Sequence, residues 1–386
     1  MKRLALLIFL PTVFIFAQNG PDIFGYFETQ MMGANPSGNY YTVHSNKLRF
    51  DISSQVSEKV SFAANFDYIN YFGKKDWNIL EFLPNRISSE IPDSIKPYFI
   101  LPFSDRSFLD NAYIKVAFKN FDLTIGKQQI SLGTGYTWNP TDVFNIKDVL
   151  DPTYEQPGHN AIRVDIPLFE RVTFTGLLSP EDQWKNYGKM ALIKFGISHF
   201  DFSLIGIEKI WTFDNFMTFT QSVEKRKLIG GSFAGELFGM GIWGEFAQNY
   251  MEKSKDFYEA VLGFDYTFDC QLYMMVEFYR NTLGKDSKDE YNLNDFMRYY
   301  LSEQKAVCRD QAYILLNYPL TALLNAGLIS IVSITDKSIA IVPNFNYSLS
   351  DNAELMGYFN LNVGKEESVF TKEQGNGFLI RLRYFF

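Results

Sequence analysis

The chain ends on an unbroken alternation. Phe378, Ile380, Leu382, Tyr384 and Phe386 share one face at period two, and Arg381 and Arg383 share the other. Side chains of a strand alternate between the two faces of a sheet. The segment therefore predicts a strand with an apolar medium on one side and water on the other. The same test selects Leu48, Phe50 and Ile52 against Lys47, Arg49 and Asp51, and Ala112, Ile114, Val116 and Phe118 against Tyr113 and Lys115. It selects Ile162, Val164 and Ile166 against Arg163 and Asp165, and Leu355 to Val363 against Asn360 and Asn362. Tyr258 to Phe268 alternate with Glu259 and Asp265, and Leu272 to Phe278 with Tyr273 and Glu277.

The N-terminus sets the compartment. Lys2 and Arg3 precede an apolar run from Leu4 to Phe16, and Ala17 offers a cleavage point. The run is too short to span a bilayer and reads as a secretory signal peptide, residues 1–17, with an N-terminal anchor as the alternative. After Ala17 no run of about 18 apolar residues occurs. A mature chain of this kind crosses a membrane only as a closed barrel, because every backbone polar group must pair internally. The 38 Phe and 23 Tyr suit strands and interfacial girdles. A net charge of −8 argues against a nucleic-acid partner.

Alternation and turn residues place strands near 24–32, 46–55, 60–71, 110–118, 121–130, 161–167, 171–178, 188–197 and 200–212. Further strands fall near 226–238, 239–248, 258–268, 271–280, 310–319, 322–333, 338–348, 353–364 and 376–386. The expected fold is all-β: a transmembrane antiparallel barrel of about 18 strands over residues 18–386, with no plug domain. The connections sort by length. One set is short, as at Ser57-Glu58, Phe238-Gly239 and Asp351-Asn352. The other is mostly long: 33–45, 72–109, 131–160, 179–187, 213–225, 249–257, 281–309 and 365–375, with 334–337 the exception. Short periplasmic turns opposite long extracellular loops are a membrane-barrel pattern that a soluble sandwich has no reason to adopt.

The terminal pattern of Phe378, Ile380, Leu382, Tyr384 and Phe386 resembles the C-terminal assembly signal of Gram-negative outer-membrane proteins. The resemblance implies recognition by the barrel-assembly machinery and a setting in outer-membrane lipid and lipopolysaccharide. The stretch Gly133-Thr134-Gly135-Tyr136-Thr137-Trp138-Asn139-Pro140-Thr141-Asp142, with Asp151-Pro152 downstream, is similar to a segment of porin-like barrels loosely related to the alginate-export type. In general porins the third loop folds into the lumen. That resemblance makes loop 131–160 a candidate constriction, with Trp138, Asp142, Lys147, Asp148, Asp151 and Glu155 as its residues. A surface cap over the rim is the other reading. Homotrimers are common among porins, and no interface signature is visible here.

Lumen-facing charge separates along the chain. Lys47, Arg49, Lys115, Arg163, Arg381 and Arg383 form an expected basic wall, because first and last strands of a closed barrel are neighbours. Glu236, Glu245, Glu259, Asp265 and Glu277 form an expected acidic wall opposite. Opposed rows give a transverse field that orients polar solutes, although Asp51, Asp67 and Asp165 also suit an ordinary mixed lumen. No cofactor and no metal site is expected: paired Cys or His spacing is lacking, and no Gly-x-Ser-x-Gly occurs. His159 beside Gly158 is expected to be solvated. The expectation is a non-enzymatic porin-like channel for small hydrophilic solutes. The rival is a non-conducting or gated barrel for polysaccharide binding or polymer export, with aromatic loop 72–109 (Trp77, Phe82, Tyr98, Phe99, Phe103) as a lid.

Overall fold

The computed structural model describes residues 20–147, 155–180 and 187–386. The expected signal peptide, and Asp148 and Asp151 of the third loop, lie outside the described residues. The strands are β1 (Asp22–Ala34), β2 (Tyr41–Ser57), β3 (Val60–Gly73), β4 (Asp76–Asn78), β5 (Ile100–Pro102), β6 (Arg106–Ala117) and β7 (Asp122–Gln128). They continue as β8 (His159–Phe169), β9 (Val172–Ser179), β10 (Gly188–Ile197), β11 (Phe200–Asn215), β12 (Thr220–Leu237) and β13 (Met240–Met251). The last are β14 (Phe257–Thr267), β15 (Tyr273–Asn281), β16 (Asp310–Pro319), β17 (Leu324–Ser333), β18 (Ser338–Ser350), β19 (Ala353–Val363) and β20 (Gly377–Phe385). Two short helices, α1 (Asn85–Ser89) and α2 (Leu293–Tyr300), sit in connections.

Among the described residues, eighteen strands form one antiparallel barrel, and β4 with β5 makes a separate hairpin in a loop. Each barrel strand pairs with its chain neighbours. The ring closes where β20 pairs with β1, Tyr26 opposite Phe385 and Ala34 opposite Gly377. Phe386 completes the seam through two backbone hydrogen bonds with Gly25, at 3.0 and 3.1 Å. A Cβ on Gly25 would meet the Arg49 carbonyl oxygen and the Phe386 ring, so glycine is what lets the seam close this tightly. Closure leaves no edge strand, which lets a sheet sit in lipid.

Burial is inverted relative to a globular protein. Phe27, Leu204, Ile229, Leu262 and Ile380 are exposed on the outer face, while Arg49, Asp67, Glu245 and Glu277 are buried inside. The outer face carries the apolar belt that membrane insertion requires. The face of the closing strand bearing Ile380, Leu382, Tyr384 and Phe386 is part of it.

One rim carries short turns and the other the long connections, as the alternation predicted. Two long connections contract. β1 and β2 leave only 35–40 between them, and β11 and β12 leave 216–219. Strands of 16 to 18 residues exceed the roughly ten that span a bilayer, so these hairpins rise above it. Above the membrane both faces meet water, the apolar–polar alternation fades, and the sequence reads as loop while the hydrogen-bond ladder continues.

Candidate functional site

The described parts of the connection between β7 and β8, residues 129–147 and 155–158, turn into the barrel, one against each wall. Its first half lands on the β8–β13 wall, where Ile130, Leu132 and Phe144 pack on Leu177, Met190, Leu192, Ile205, Ile207 and Leu228. The turns that allow this are local. Gly133 has φ +84° and a Cβ there would collide with the Glu245 carboxylate. Asp142 accepts hydrogen bonds from the backbone N–H groups of Phe144 and Asn145, both at 2.9 Å, in an Asx-type turn. The Asn139 side-chain amide donates to the Leu132 carbonyl at 2.8 Å, closing the loop on itself.

Two carboxylates then hold the loop. Glu245 on β13 accepts from the backbone N–H groups of Thr134 (2.8 Å) and Thr141 (2.5 Å), and from the Thr141 hydroxyl (2.7 Å). Glu277 on β15 accepts from the backbone N–H groups of Tyr136, Thr137 and Trp138 at 2.7 to 2.9 Å, and from Trp243 Nε1 at 2.7 Å. Glu277 is 0% exposed. A concavity of successive backbone N–H groups binds an anion well, and a fully hydrogen-bonded carboxylate tolerates burial that an unpaired one would not. The Lys147 ammonium caps the same turn, donating to the carbonyls of Gly135 (2.9 Å) and Tyr136 (2.8 Å). Trp138 stacks on Tyr279 at 4.9 Å and 10°. Burial raises the Asp142 carboxyl above its ordinary range and lowers the Lys147 ammonium below its own.

The second half of the loop reaches the opposite wall. Glu155 accepts from Tyr26 Oη at 2.6 Å, Lys47 Nζ at 2.7 Å and Arg49 Nη1 at 3.0 Å. Arg49 also pairs with Asp51 at 2.9 Å and lies 3.5 to 3.6 Å from Asp110 and Asp67. Arg383 pairs with Glu28 at 2.7 Å, and Arg381 reaches Glu28 at 3.4 Å and Gln30 at 2.7 Å. Further around, Arg163 pairs with Asp165 at 2.8 Å and Lys115 with Asp122 at 2.7 Å.

Lys47 and Arg49 share Asp67 and Glu155, and Arg381 and Arg383 share Glu28, whereas Lys115 and Arg163 each pair with an acid of their own. Interleaved carboxylates pair with them, so the wall is a lattice of ion pairs. The five expected acidic residues diverge. Glu245 and Glu277 are covered by the loop. Glu259 lies beneath Lys305 (3.2 Å) and the Tyr279 hydroxyl (2.6 Å). Asp265 accepts from the Tyr273 hydroxyl at 2.8 Å, and Glu236 is exposed near the short-turn rim. His159 is not solvated as expected. Its Nε2 lies 2.9 Å from Asn145 Oδ1, which ties β8 to the loop. Glu28, Asp110, Tyr26 and Trp243 join the site without having been anticipated. Period two carried a signal for Glu28 and Tyr26, which share one face of β1 with Gln30.

Between the loop and the ion-pair wall lies a cavity of about 830 Å³ whose lining includes Tyr26, Arg49, Asn111, Thr124, Gln128, Glu155, Arg163 and Arg383. A second cavity of about 300 Å³ is bordered by Lys209, Trp211, Arg226, Phe257 and Glu259. The lining of the first mixes charged and amide side chains with the apolar Phe24, Ile52 and Phe385.

No protein-family model matches the sequence, and no curated protein sequence matches it. Solved structures match the barrel. OccAB1 of Acinetobacter baumannii aligns with a TM-score of 0.60 at 11% identity, covering 96% of this chain and 97% of that one. OccAB4 of the same organism gives 0.59 at 8% identity over 96% and 98%, and OccAB2 gives 0.57 at 9% over 96% and 98%. The likeness is one of fold: a closed antiparallel barrel of the same kind. Its apolar outer belt and closed hydrogen-bond ring suit this barrel to a lipid bilayer.

The Glu155 clasp has a defined pH dependence. Burial raises the Glu155 carboxyl, but Lys47, Tyr26 and Arg49 outweigh it and leave the group below its ordinary value. A depressed carboxylate contributes fully above the ordinary range and loses its contribution as pH falls through the depressed value. The clasp should therefore hold at neutral pH and release only in acid. Glu155→Gln should remove that acid transition from the channel's conductance–pH curve. An unchanged acid transition in the variant would assign it elsewhere.

Proposed function

We propose that the barrel is a porin-like channel through which small hydrophilic solutes diffuse across the outer membrane, with loop 129–158 as its constriction. The observation that carries this reading is the loop itself. Its described parts meet both walls, fastened at Glu245 and Glu277 on one and through Glu155 on the other, with a cavity lined by charged and amide groups beside Glu155. Fastening at both ends sets a size limit, because neither half of the loop moves without breaking charge-assisted hydrogen bonds, buried at Glu277 and half-buried at Glu155.

The interleaving of charge bears on selectivity. Among the described residues, Lys47, Arg49, Arg381 and Arg383 face Glu28, Asp51, Asp67, Asp110 and Glu155. A wall so balanced favours polar solutes of either sign over a single ion type. Loop donors occupy Glu245 and Glu277, which weakens any transverse field from the acidic side.

The lid reading is less favoured. Trp77 stacks on Phe82 at 5.8 Å and tilts against Tyr41 at 5.4 Å. Phe99 is buried with Leu80, Leu83 and Ile87 against Phe296, Val307 and Phe370 of other loops. Those aromatic faces are engaged in packing a cap and do not form an open sugar platform. A hydrolase reading has no support either, because His159 pairs with Asn145 and His44 stacks on Phe72 at 4.9 Å.

Planar-bilayer recording of the purified barrel tests the proposal. Discrete conductance steps with weak ion preference are expected, and a folded barrel that passes no current would overturn it.

A further inference from the structure

The outer face of β10–β12 changes character at one rung. Rising from the short-turn rim, the outward side chains include Ile197 and Ile193 on β10, Leu204 on β11, and Phe233 and Ile229 on β12, all apolar. Beyond Ala191 on β10 and Gly206 on β11 come Lys189, Glu208 and, on β12, Lys227, which are direct cross-strand neighbours: Lys189 opposite Glu208, and Glu208 opposite Lys227. Their burial-alternating neighbours Met190, Ile207 and Leu228 point inward, so these three charges face out. Tyr187 lies under the Lys189 ammonium at 5.2 Å, and Tyr250 is paired opposite Lys227. Lys225 follows on the same face of β12.

The height of this rung is set by geometry. Lys227 stands ten residues above Leu237, the end of its strand at the short-turn rim. At about 3.3 Å per residue and a tilt near 40°, that is roughly 25 Å along the barrel axis, the height of the apolar band of such barrels. The rung thus lies where the outer leaflet's headgroups begin, and tyrosines belong at that level.

Its charges are incompletely spent. Glu208 is 3.5 Å from Lys189 and 3.9 Å from Lys227, too long for strong hydrogen bonds, and the lysine side chains are 52% and 63% exposed. Glu252, higher on the hairpin, accepts from the Lys225 backbone N–H and leaves that ammonium outside its contact. Three lysines against Glu208 leave a positive surplus, with N–H donors turned toward lipid headgroups.

We propose that this rung binds the phosphorylated headgroup of an outer-leaflet glycolipid. Lys189, Lys227 and Lys225 meet the phosphate oxygens, and Glu208 spaces the two ammonium groups that flank it. A Lys ammonium serves phosphate as a compact point charge, and basic clusters at the bilayer surface attract anionic headgroups. The proposal rests on the membrane barrel and not on the channel reading, so a barrel that fails to conduct leaves it intact.

The test is native mass spectrometry of the full purified barrel, titrated with lipid A and with its dephosphorylated form. The expected result is preferential retention of lipid A, lowered about tenfold or more in the Lys189→Gln/Lys227→Gln variant, given roughly a kcal/mol per surface lysine. Lys189→Arg/Lys227→Arg should retain it, and Lys59→Gln/Lys119→Gln, at the short-turn rim, should bind as the unaltered protein does. Heat-modifiable gel migration establishes that each variant is folded. Equal retention of the two lipid forms, or equal retention by the unaltered protein and the Gln variant, would overturn the proposal. So would a change in oligomeric state with lipid retention unchanged, which would make the rung a contact between copies.

Discussion

Glu277→Ala is expected to unseat the constriction loop. The carboxylate is buried and accepts from three consecutive backbone N–H groups and from Trp243. Removing it leaves all of those donors without a partner at the centre of the barrel. Breaking a buried, hydrogen-bonded charge site in this way costs about 3–5 kcal/mol. The barrel itself is untouched, because the strand pairing of β15 runs through backbone groups. The cost therefore falls on the loop. Single-channel recordings should show higher conductance and fast current fluctuations as the first half of the loop leaves its seat. Glu277→Gln keeps an acceptor oxygen but turns an amide toward the donors, and should fall between the two. A folded Glu277→Ala barrel with unaltered conductance and noise would separate the loop from the flow.

Arg49→Ala should act on the opposite wall with comparable size. Arg49 is buried among Asp51, Asp67, Asp110 and Glu155, at 2.9 to 3.6 Å from each. Without the guanidinium, these carboxylates keep only Lys47 nearby, which reaches Asp67 at 3.4 Å and Glu155 at 2.7 Å. Two consequences follow. The uncompensated charge destabilises the barrel at neutral pH by about 3–5 kcal/mol, readable as a lower urea midpoint. The lumen also turns net acidic, so the reversal potential under a potassium chloride gradient should shift toward cation selectivity. Arg49→Lys restores the charge without the planar fork and should recover selectivity better than stability. An unshifted reversal potential would remove this wall from the ion path.

The same packing explains which strands were legible in the chain. β2, β6, β8, β14, β19 and β20 alternate clearly because their inner faces carry polar groups, many of them ion-paired or hydrogen-bonded. The middle of the chain reads poorly. Leu177, Met190, Leu192, Ile205, Ile207 and Leu228 are all lumen-facing and all apolar, because Ile130, Leu132 and Phe144 cover them. Strands apolar on both faces lose the period-two signal, and their existence was readable mainly from the turns between them. Likewise Ile329, Ile331, Ala340 and Val342 point inward and are apolar because the packed outer loops lie against them.

The third loop divides most sharply between the two levels. Its glycines, its Asn-Pro-Thr-Asp turn and its aromatic content mark it as ordered and set apart from an ordinary surface connection. Its seat is invisible in the chain, since Glu245 and Glu277 follow it by more than 100 residues. As lumen-facing carboxylates they look identical to residues that line water.

By itself the sequence determined the barrel. Period-two alternation, the lack of a spanning apolar run and the sorting of turns from loops admit no other way to satisfy the backbone in lipid. The tertiary structure alone decided what the inside of the barrel is. Whether a buried carboxylate faces a solute, a lysine or a row of backbone N–H groups depends on contacts between residues far apart in the chain, and local patterning carries no record of them. So two of the acids expected to line a pore, Glu245 and Glu277, hold the third loop, and most of the bases expected to make a field are bound up with interleaved acids.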